Sequence, residues 1–282
     1  MKKIILISFF IIYSASFALA ATVGGPEINV PEQSLFLKDQ AIKNALDRFD
    51  KEMNIKTGLD MEFVTNRDIS SCPTDVSSAE MDGFNFMFKL ANNYKNILEP
   101  YIKIGTSVID VEWTQYGGAD IKVESDIGFV WNLGMKAKLW KLENCGIDFT
   151  ADLQYRHTGL DFSKAKLGGS TAAAARKNEH FTIDEWQTAL LASKKLILPL
   201  GANDHYVIPY GGLTYLRSDI DVSFTQSNTG VTYSLYNAEN ENDFGVVLGC
   251  DIMPFYLSYY LLNFELRLLN ETAFTFGGTM KF

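Results

Sequence analysis

Three histidines, three cysteines and scattered carboxylates and hydroxyls are the residues with which this 282-residue sequence could do chemistry. In "HTGLDFS", His157, Asp161 and Ser163 fall within seven residues. A base, an acid that could orient it and a hydroxyl nucleophile are the ingredients of an esterase acting by acyl transfer. The competing reading is an ordinary polar rim at the end of a strand, and it is the one favoured, so no catalytic residue is expected. Cys72, Cys145 and Cys250 are too few and too scattered for a disulfide framework. At most one pair can form, and spacing does not say which. No CxxC or His/Cys cluster occurs, so neither a metal nor another cofactor is expected.

The elements that would hold these residues repeat with period two. "TGLDMEFV" sets Leu59, Met61 and Phe63 against Asp60 and Glu62. "MDGFNFMFKLA" sets Phe84, Phe86, Phe88 and Leu90 against Asn85 and Lys89. "PYIKIGTSV" places Ile102, Ile104 and Val108 opposite Lys103, Gly105 and Ser107. The longest run, "IGFVWNLGMKAKL", opposes Phe129, Trp131, Leu133 and Met135 to Asn132, Gly134, Lys136 and Lys138. After "KLEN" comes "IDFTADLQYR", with Asp148, Asp152 and Arg156 on its polar side. Further strands are expected over 181–194, 206–218, 244–252, 258–268 and 272–282, giving ten. Long polar connections at 67–80, 109–120, 162–180 and 219–243 alternate with short ones, apart from a tight turn at Asn270-Glu271. The segments 168–180 and 224–242 are expected to be exposed loops.

The N-terminus obeys a different pattern. "MKKIILISFFIIYSASFALA" has a basic start at Lys2 and Lys3, an apolar stretch and a small-x-small close at Ala18-Leu19-Ala20, as in a secretory signal peptide. Domain boundaries are therefore 1–20 signal peptide, 21–56 leader, and 57–282 strands. Within the leader, "KDQAIKNALDRFDKEM" (38–53) puts Ile42, Ala45, Leu46, Phe49 and Met53 on one helical face. Twenty-five basic against 34 acidic residues give −9, and loss of Lys2 and Lys3 makes it −11. This acidity argues against nucleic acid as a partner.

Two all-β architectures alternate in this way. A soluble β-sandwich turns its apolar face inward and has strands of about five or six residues. Here large apolar groups run for up to thirteen residues, and the opposite side carries glycines and charges. A closed antiparallel transmembrane β-barrel explains both, along with alternating connection lengths. Trp113, Trp140, Tyr206, Tyr256 and Tyr259 near strand ends fit interfacial anchors.

On these residues, 57–282 resembles the bacterial outer-membrane β-barrel proteins. The resemblance implies that the terminal "FTFGGTMKF", with Phe274, Phe276 and Phe282, is the signal read by the barrel-assembly machinery. It also implies that the last strand closes on the first near Leu59–Phe63. "DEWQTALLASKKL" and "IPYGGLTYLRSDIDV" are similar to paired strands of the chlamydial major outer-membrane porin family. An omptin-class protease would need acidic pairs facing an Asp/His pair at the outer rim. Asp219 and Asp221 could supply the first, but Asp204-His205 is expected at the opposite end.

Lys136, Lys138, Asp148, Asp152, Arg156, Glu265 and Arg267 are expected to line the lumen, either as an ion-selecting constriction or as interior glue. The expected function is non-enzymatic: a small porin-like channel or a structural surface barrel. Its expected partners are outer-membrane lipid, the assembly machinery and small solutes or ions. The alternatives are an outer-membrane lipid esterase or protease at the extracellular rim, and a secreted β-sandwich that binds through its loops.

Overall fold

A computed structural model describes residues 53–281 apart from 71–75, 116–117, 173, 201–202, 227–228 and 254–259. The expected signal peptide, most of the expected helix over 38–53, Cys72, Tyr256, Tyr259 and Phe282 lie outside the described residues. Met53, the last residue of that expected helix, already belongs to a strand.

Among the described residues fifteen strands follow one another. They are β1 (Met53–Ser70), β2 (Val76–Tyr94), β3 (Leu98–Gln115), β4 (Ala119–Ser125), β5 (Gly128–Leu142), β6 (Ile147–Gly159), β7 (Phe162–Leu167) and β8 (Ser170–Ala172). Then come β9 (Ala174–Lys194), β10 (Leu196–Leu200), β11 (Asn203–Gln226), β12 (Thr232–Asn240), β13 (Phe244–Met253), β14 (Tyr260–Leu268) and β15 (Thr272–Lys281). Ten of them close an antiparallel barrel in the order β1, β2, β3, β5, β6, β9, β11, β13, β14, β15 and back to β1. The closing ladder runs from Lys56↔Lys281 to Asn66↔Thr272 and pairs Phe63 with Phe274. Closure removes the free edges of a sandwich and gives each wall strand a partner on both sides. The β-sandwich reading is thereby overturned.

The alternation sorts side chains across this wall. Outward lie Leu59, Phe86, Phe88, Ile104, Leu133, Leu190, Leu213 and Leu248, all exposed. Inward on the same strands lie Asp60, Lys89, Lys103, Asn132 and Gln187, all buried. Among the described residues no helix is long and apolar enough to cross a membrane.

The expected long loops are the main correction. Residues 109–115 continue β3, 119–125 form β4, and much of 162–180 and 219–243 is strand. At this end the wall is rebuilt. The upper half of β3 leaves β5 and pairs β4, which in turn pairs β7. On the other side β12 inserts between β11 and β1. The result is a second tier with the ladder order β9, β11, β12, β1, β2, β3, β4, β7. Between β7 and β9 it is joined by Leu160 N–H donating to the Phe181 carbonyl (3.0 Å) and by the Phe162 and Phe181 rings.

On β3 polarity inverts in this tier without any change of strand parity, whereas β1 shifts its parity at a bulge between Val64 and Asn66. On β3 the inward positions read Glu99, Tyr101, Lys103, then Ile109, Val111, Trp113. The outward positions read Ile102, Ile104, then Asp110, Glu112. Val111, Trp113, Ile121, Val123, Phe181, Ile220, Val222, Phe224 and Leu235 are buried together in one apolar core. Each such side chain contributes about 1.5–3 kcal/mol when withdrawn from water. The charges on the outer face made these segments read as polar loops. Trp113, expected as an interfacial anchor, is 1% exposed inside this core, and Phe224 and Leu235 are buried rather than in exposed loops.

Candidate functional site

The barrel interior below the apolar tier is a charged network built from the inward positions of the wall. Nearest the short-turn end is a lysine layer. Glu99 on β3 receives Lys56 of β1 at 2.6 Å and Lys89 of β2 at 2.8 Å. Lys103 reaches Asp60 at 3.0 Å, and Lys136 lies 3.9 Å from Asp152. Tyr101 donates its hydroxyl to Asp152 at 2.8 Å, and the Lys89 ammonium sits 4.7 Å from its ring centroid. An amide chain crosses the wall beside it, from Asn132 to Gln154 (2.8 Å) and from Gln154 to Gln187 (2.9 Å).

Above it is an arginine layer. Arg67 on β1 binds Glu185 on β9 at 2.5 Å and Glu271 at 2.7 Å. Arg156 on β6 binds Glu62 on β1 at 2.7 Å and also Glu185. Arg267 lies 3.5 Å from Glu265 and 3.6 Å from Glu271. Every one of these groups is buried. Removing charges from water costs several kcal/mol each unless they are paired and hydrogen-bonded, and here the pairs interlock. Guanidinium forks suit the crowded centre because each engages two carboxylates at once.

Two glycines on the inner face make room for tyrosines on neighbouring strands. A Cβ at Gly134 would stand 2.3 Å from the Tyr101 ring, and one at Gly249 would stand 2.1 Å from the Tyr210 ring. Each glycine is directly opposite its tyrosine in the ladder. Tyr210 uses the space to donate to Glu265 at 3.0 Å, while Asn263 donates to the Tyr210 oxygen at 2.8 Å.

Of the residues singled out as lumen-lining, Lys136, Asp152, Arg156, Glu265 and Arg267 are buried in this network. Lys138 and Asp148 pair with each other at 2.7 Å where the wall is more open, their side chains 38% and 26% exposed. Arg67, Glu62, Glu185 and Glu271 were missed. Arg67 and Glu271 lay in segments assigned to a loop and a turn, while Glu62 and Glu185 lay on expected strands without being singled out. Only knowledge of which strands face each other would have joined them.

The candidate catalytic sets do not assemble as their spacing suggested. His157 Nδ1 meets Asp184 at 2.8 Å, and among the described residues neither Asp161 nor Ser163 bonds to it. Asp219 and Asp221 lie on the outer face of β11, and Asp204-His205 lie at that strand's opposite end, next to β10. The ladders instead align His157, Asp184 and Asp219 in one row across β6, β9 and β11. Beside them Trp131, Tyr155 and Trp186 form an aromatic row, with ring centroids 5.4 and 5.0 Å apart.

No protein-family model matches the sequence, and no curated protein does. Solved structures of similar shape include the translocator domain of the autotransporter NalP from Neisseria meningitidis, at 11% identity and TM-score 0.37, covering 86% of this chain and 93% of that one. The transport unit of the autotransporter AIDA-I from Escherichia coli is 8% identical with TM-score 0.38, covering 88% and 94%. The outer membrane protein OprG from Pseudomonas aeruginosa is 14% identical with TM-score 0.34, covering 82% and 95%. At these identities and scores the likeness is one of general barrel shape, and the fold assignment rests on the ladders above.

Proposed function

We propose that this chain is an outer-membrane β-barrel of a Gram-negative-type envelope, closed to solutes and non-enzymatic, acting through its outer surface. The observation that carries the closed lumen is the pair Arg67–Glu185. Arg67 lies just past the end of the β1–β15 ladder, where the wall back to β9 runs through β12 and β11 on one side and through β2, β3, β5 and β6 on the other, so this contact crosses the interior. Above it the apolar tier fills the remaining height. An ion path would have to break buried pairs, at about 3–5 kcal/mol for each uncompensated charge. Of the two forms expected from the sequence, this favours the structural surface barrel over the porin-like channel.

The membrane reading is supported by the exposed apolar belt around a wall whose backbone groups are paired in ladders, the condition for crossing hydrocarbon with strands. Short turns such as Tyr94–Leu98 and Leu142–Ile147 gather at the end where β1 begins and β15 finishes, fitting a periplasmic face. Outer-membrane lipid is then the partner of the belt, and the assembly machinery the reader of β15. Phe274 and Phe276 stand half-buried on the outward side of that strand. Against the acyl-transfer reading, His157 Nδ1 is engaged by Asp184, whose carboxylate also holds the Tyr155 hydroxyl.

Two measurements test this. The folded chain should fractionate with membranes and migrate faster unboiled than boiled on a gel, and soluble release would overturn the membrane reading. Reconstituted in planar bilayers it should give no stable unitary conductance, whereas reproducible steps would restore the channel.

A further inference from the structure

On the outward face, Tyr155 and Trp186 of the aromatic row and Asp184 and Asp219 of the polar row line, with Arg217 and Glu239, a cleft of about 370 Å³ that the closed lumen does not explain. Trp186 forms one wall, 56% exposed, with Tyr155 beside it. The Asp184 carboxylate is held by the Tyr155 hydroxyl and by His157 Nδ1, so its orientation is fixed before any ligand arrives. Arg217 is tied to Glu239 at 2.5 Å on the far side. Asp219 projects into the same cleft and, among the described residues, its carboxylate takes no hydrogen-bond or ion-pair partner.

We infer that this cleft binds the saccharide headgroup of an outer-leaflet glycolipid, with a neutral or amino sugar in contact with Trp186, Asp184 and Asp219. This rests on the membrane reading above. The chemistry is that of a sugar: one ring face carries C–H groups that pack on the electron-rich face of an indole, while its rim of hydroxyls donates to carboxylates. Three carboxylates (Asp184, Asp219, Glu239) against the one Arg217 guanidinium disfavour a bare phosphate. The place argues for a lipid-linked sugar rather than a free one. Directly down the same two strands, Leu190 and Leu213 are paired across the ladder and exposed. An amphiphile can therefore lay its acyl chains on these leucines while its head occupies the cleft.

The test uses the full chain folded in detergent micelles, titrated with lipopolysaccharide, with its delipidated oligosaccharide, and with phosphatidylglycerol as a sugar-free anionic lipid. Saturation-transfer NMR reads which ligand protons touch the protein, and native mass spectrometry reads retention. The expected result is transfer to sugar ring protons in both sugar-bearing probes, with tighter retention of the lipid-linked form. Trp186→Ala and Asp219→Asn should each weaken it roughly tenfold, the loss of one good contact, while Leu59→Ala, exposed on β1, which pairs with neither β9 nor β11, leaves it unchanged. Equal retention by all variants, or equal competition by phosphatidylglycerol, would reduce the aromatics to an ordinary interfacial girdle and overturn the assignment. Stronger binding of the free oligosaccharide than of the glycolipid would overturn the lipid-linked source. Failure of the wild-type chain to associate with micelles would overturn the membrane reading and this proposal together.

Discussion

Arg67 on β1 and Glu185 on β9, strands that share no ladder, bind each other at 2.5 Å, so a single pair of side chains crosses the barrel interior. Glu185 also holds Arg156, and Arg67 also holds Glu271, which makes the bridge a node rather than a lone contact.

The node predicts an asymmetric response to mutation. Arg67→Met leaves Glu185 and Glu271 short of a partner in a buried site and should cost about 3–5 kcal/mol. Urea unfolding in lipid vesicles measures it. Adding Glu185→Gln should recover part of the loss, because it removes one of the carboxylates left in excess over the remaining guanidinium groups, while Arg156 keeps Glu62. A double variant less stable than the single one would show that the pair is not the stabilising unit.

Packing predicts a second effect. Gly249→Ala sets a methyl group into the Tyr210 ring and should destabilise by about 1–3 kcal/mol through overpacking. Gly249→Ala combined with Tyr210→Phe keeps the clash, because the ring carbons remain, whereas Tyr210→Leu relieves it. Heat-modifiability midpoints would rank the three.

The outer face of the upper tier predicts a pH effect. Asp82 and Asp110 are cross-strand neighbours. Partial burial, then the Asp110 charge, raises the Asp82 carboxyl above its ordinary range; partial burial likewise raises Asp110, against the pull of Lys122. For an acid with a raised folded-state pKa, the native state holds its proton to higher pH than the unfolded chain does. The cost is thus present at neutral pH and is relieved as pH falls through the folded pKa toward the usual carboxylate range near about 4. Asp82→Asn should be more stable than wild type at neutral pH, and the difference should vanish on acidification. A constant difference across that window would remove the titration argument.

Orientation can be tested with a thiol. Cys145 is free and exposed in the turn between β5 and β6, and Cys250 is free on β13. In a Cys72→Ser, Cys250→Ser background, a membrane-impermeant maleimide should label Cys145 only after the outer membrane is permeabilised. Labelling of intact cells would invert the proposed topology.

Much of the wall was legible because its signal is local. Phe129, Trp131 and Leu133 announce a strand and a face within five residues, while the closure of β15 on β1 came from the resemblance to outer-membrane barrels and is seen in the ladder. The upper tier was misread for an equally physical reason. Asp110 and Glu112 on its outer side, and Ile109 and Val111 on its inner side, keep the period but exchange the roles of the faces. A reading that equated polar outer residues with loops could not see it. The charged site was half legible: Arg156 and Glu265 were placed by parity alone. Their partners were not, since the contact between Arg156 and Glu62 joins residues 94 positions apart through ring closure.

The length of β11 has a mechanical meaning. Its 24 residues extend roughly 80 Å along the chain at about 3.4 Å each. A tilted strand needs only about 9–11 residues to cross a bilayer. The surplus is braced on both sides by β9 and β12 and packed from within, so it behaves as a stiff pedestal rather than a tether. On the proposed membrane placement, the end of β11 at Gln226, bonded to Val231, is therefore carried well beyond the apolar belt, where large molecules approaching the surface would meet it first.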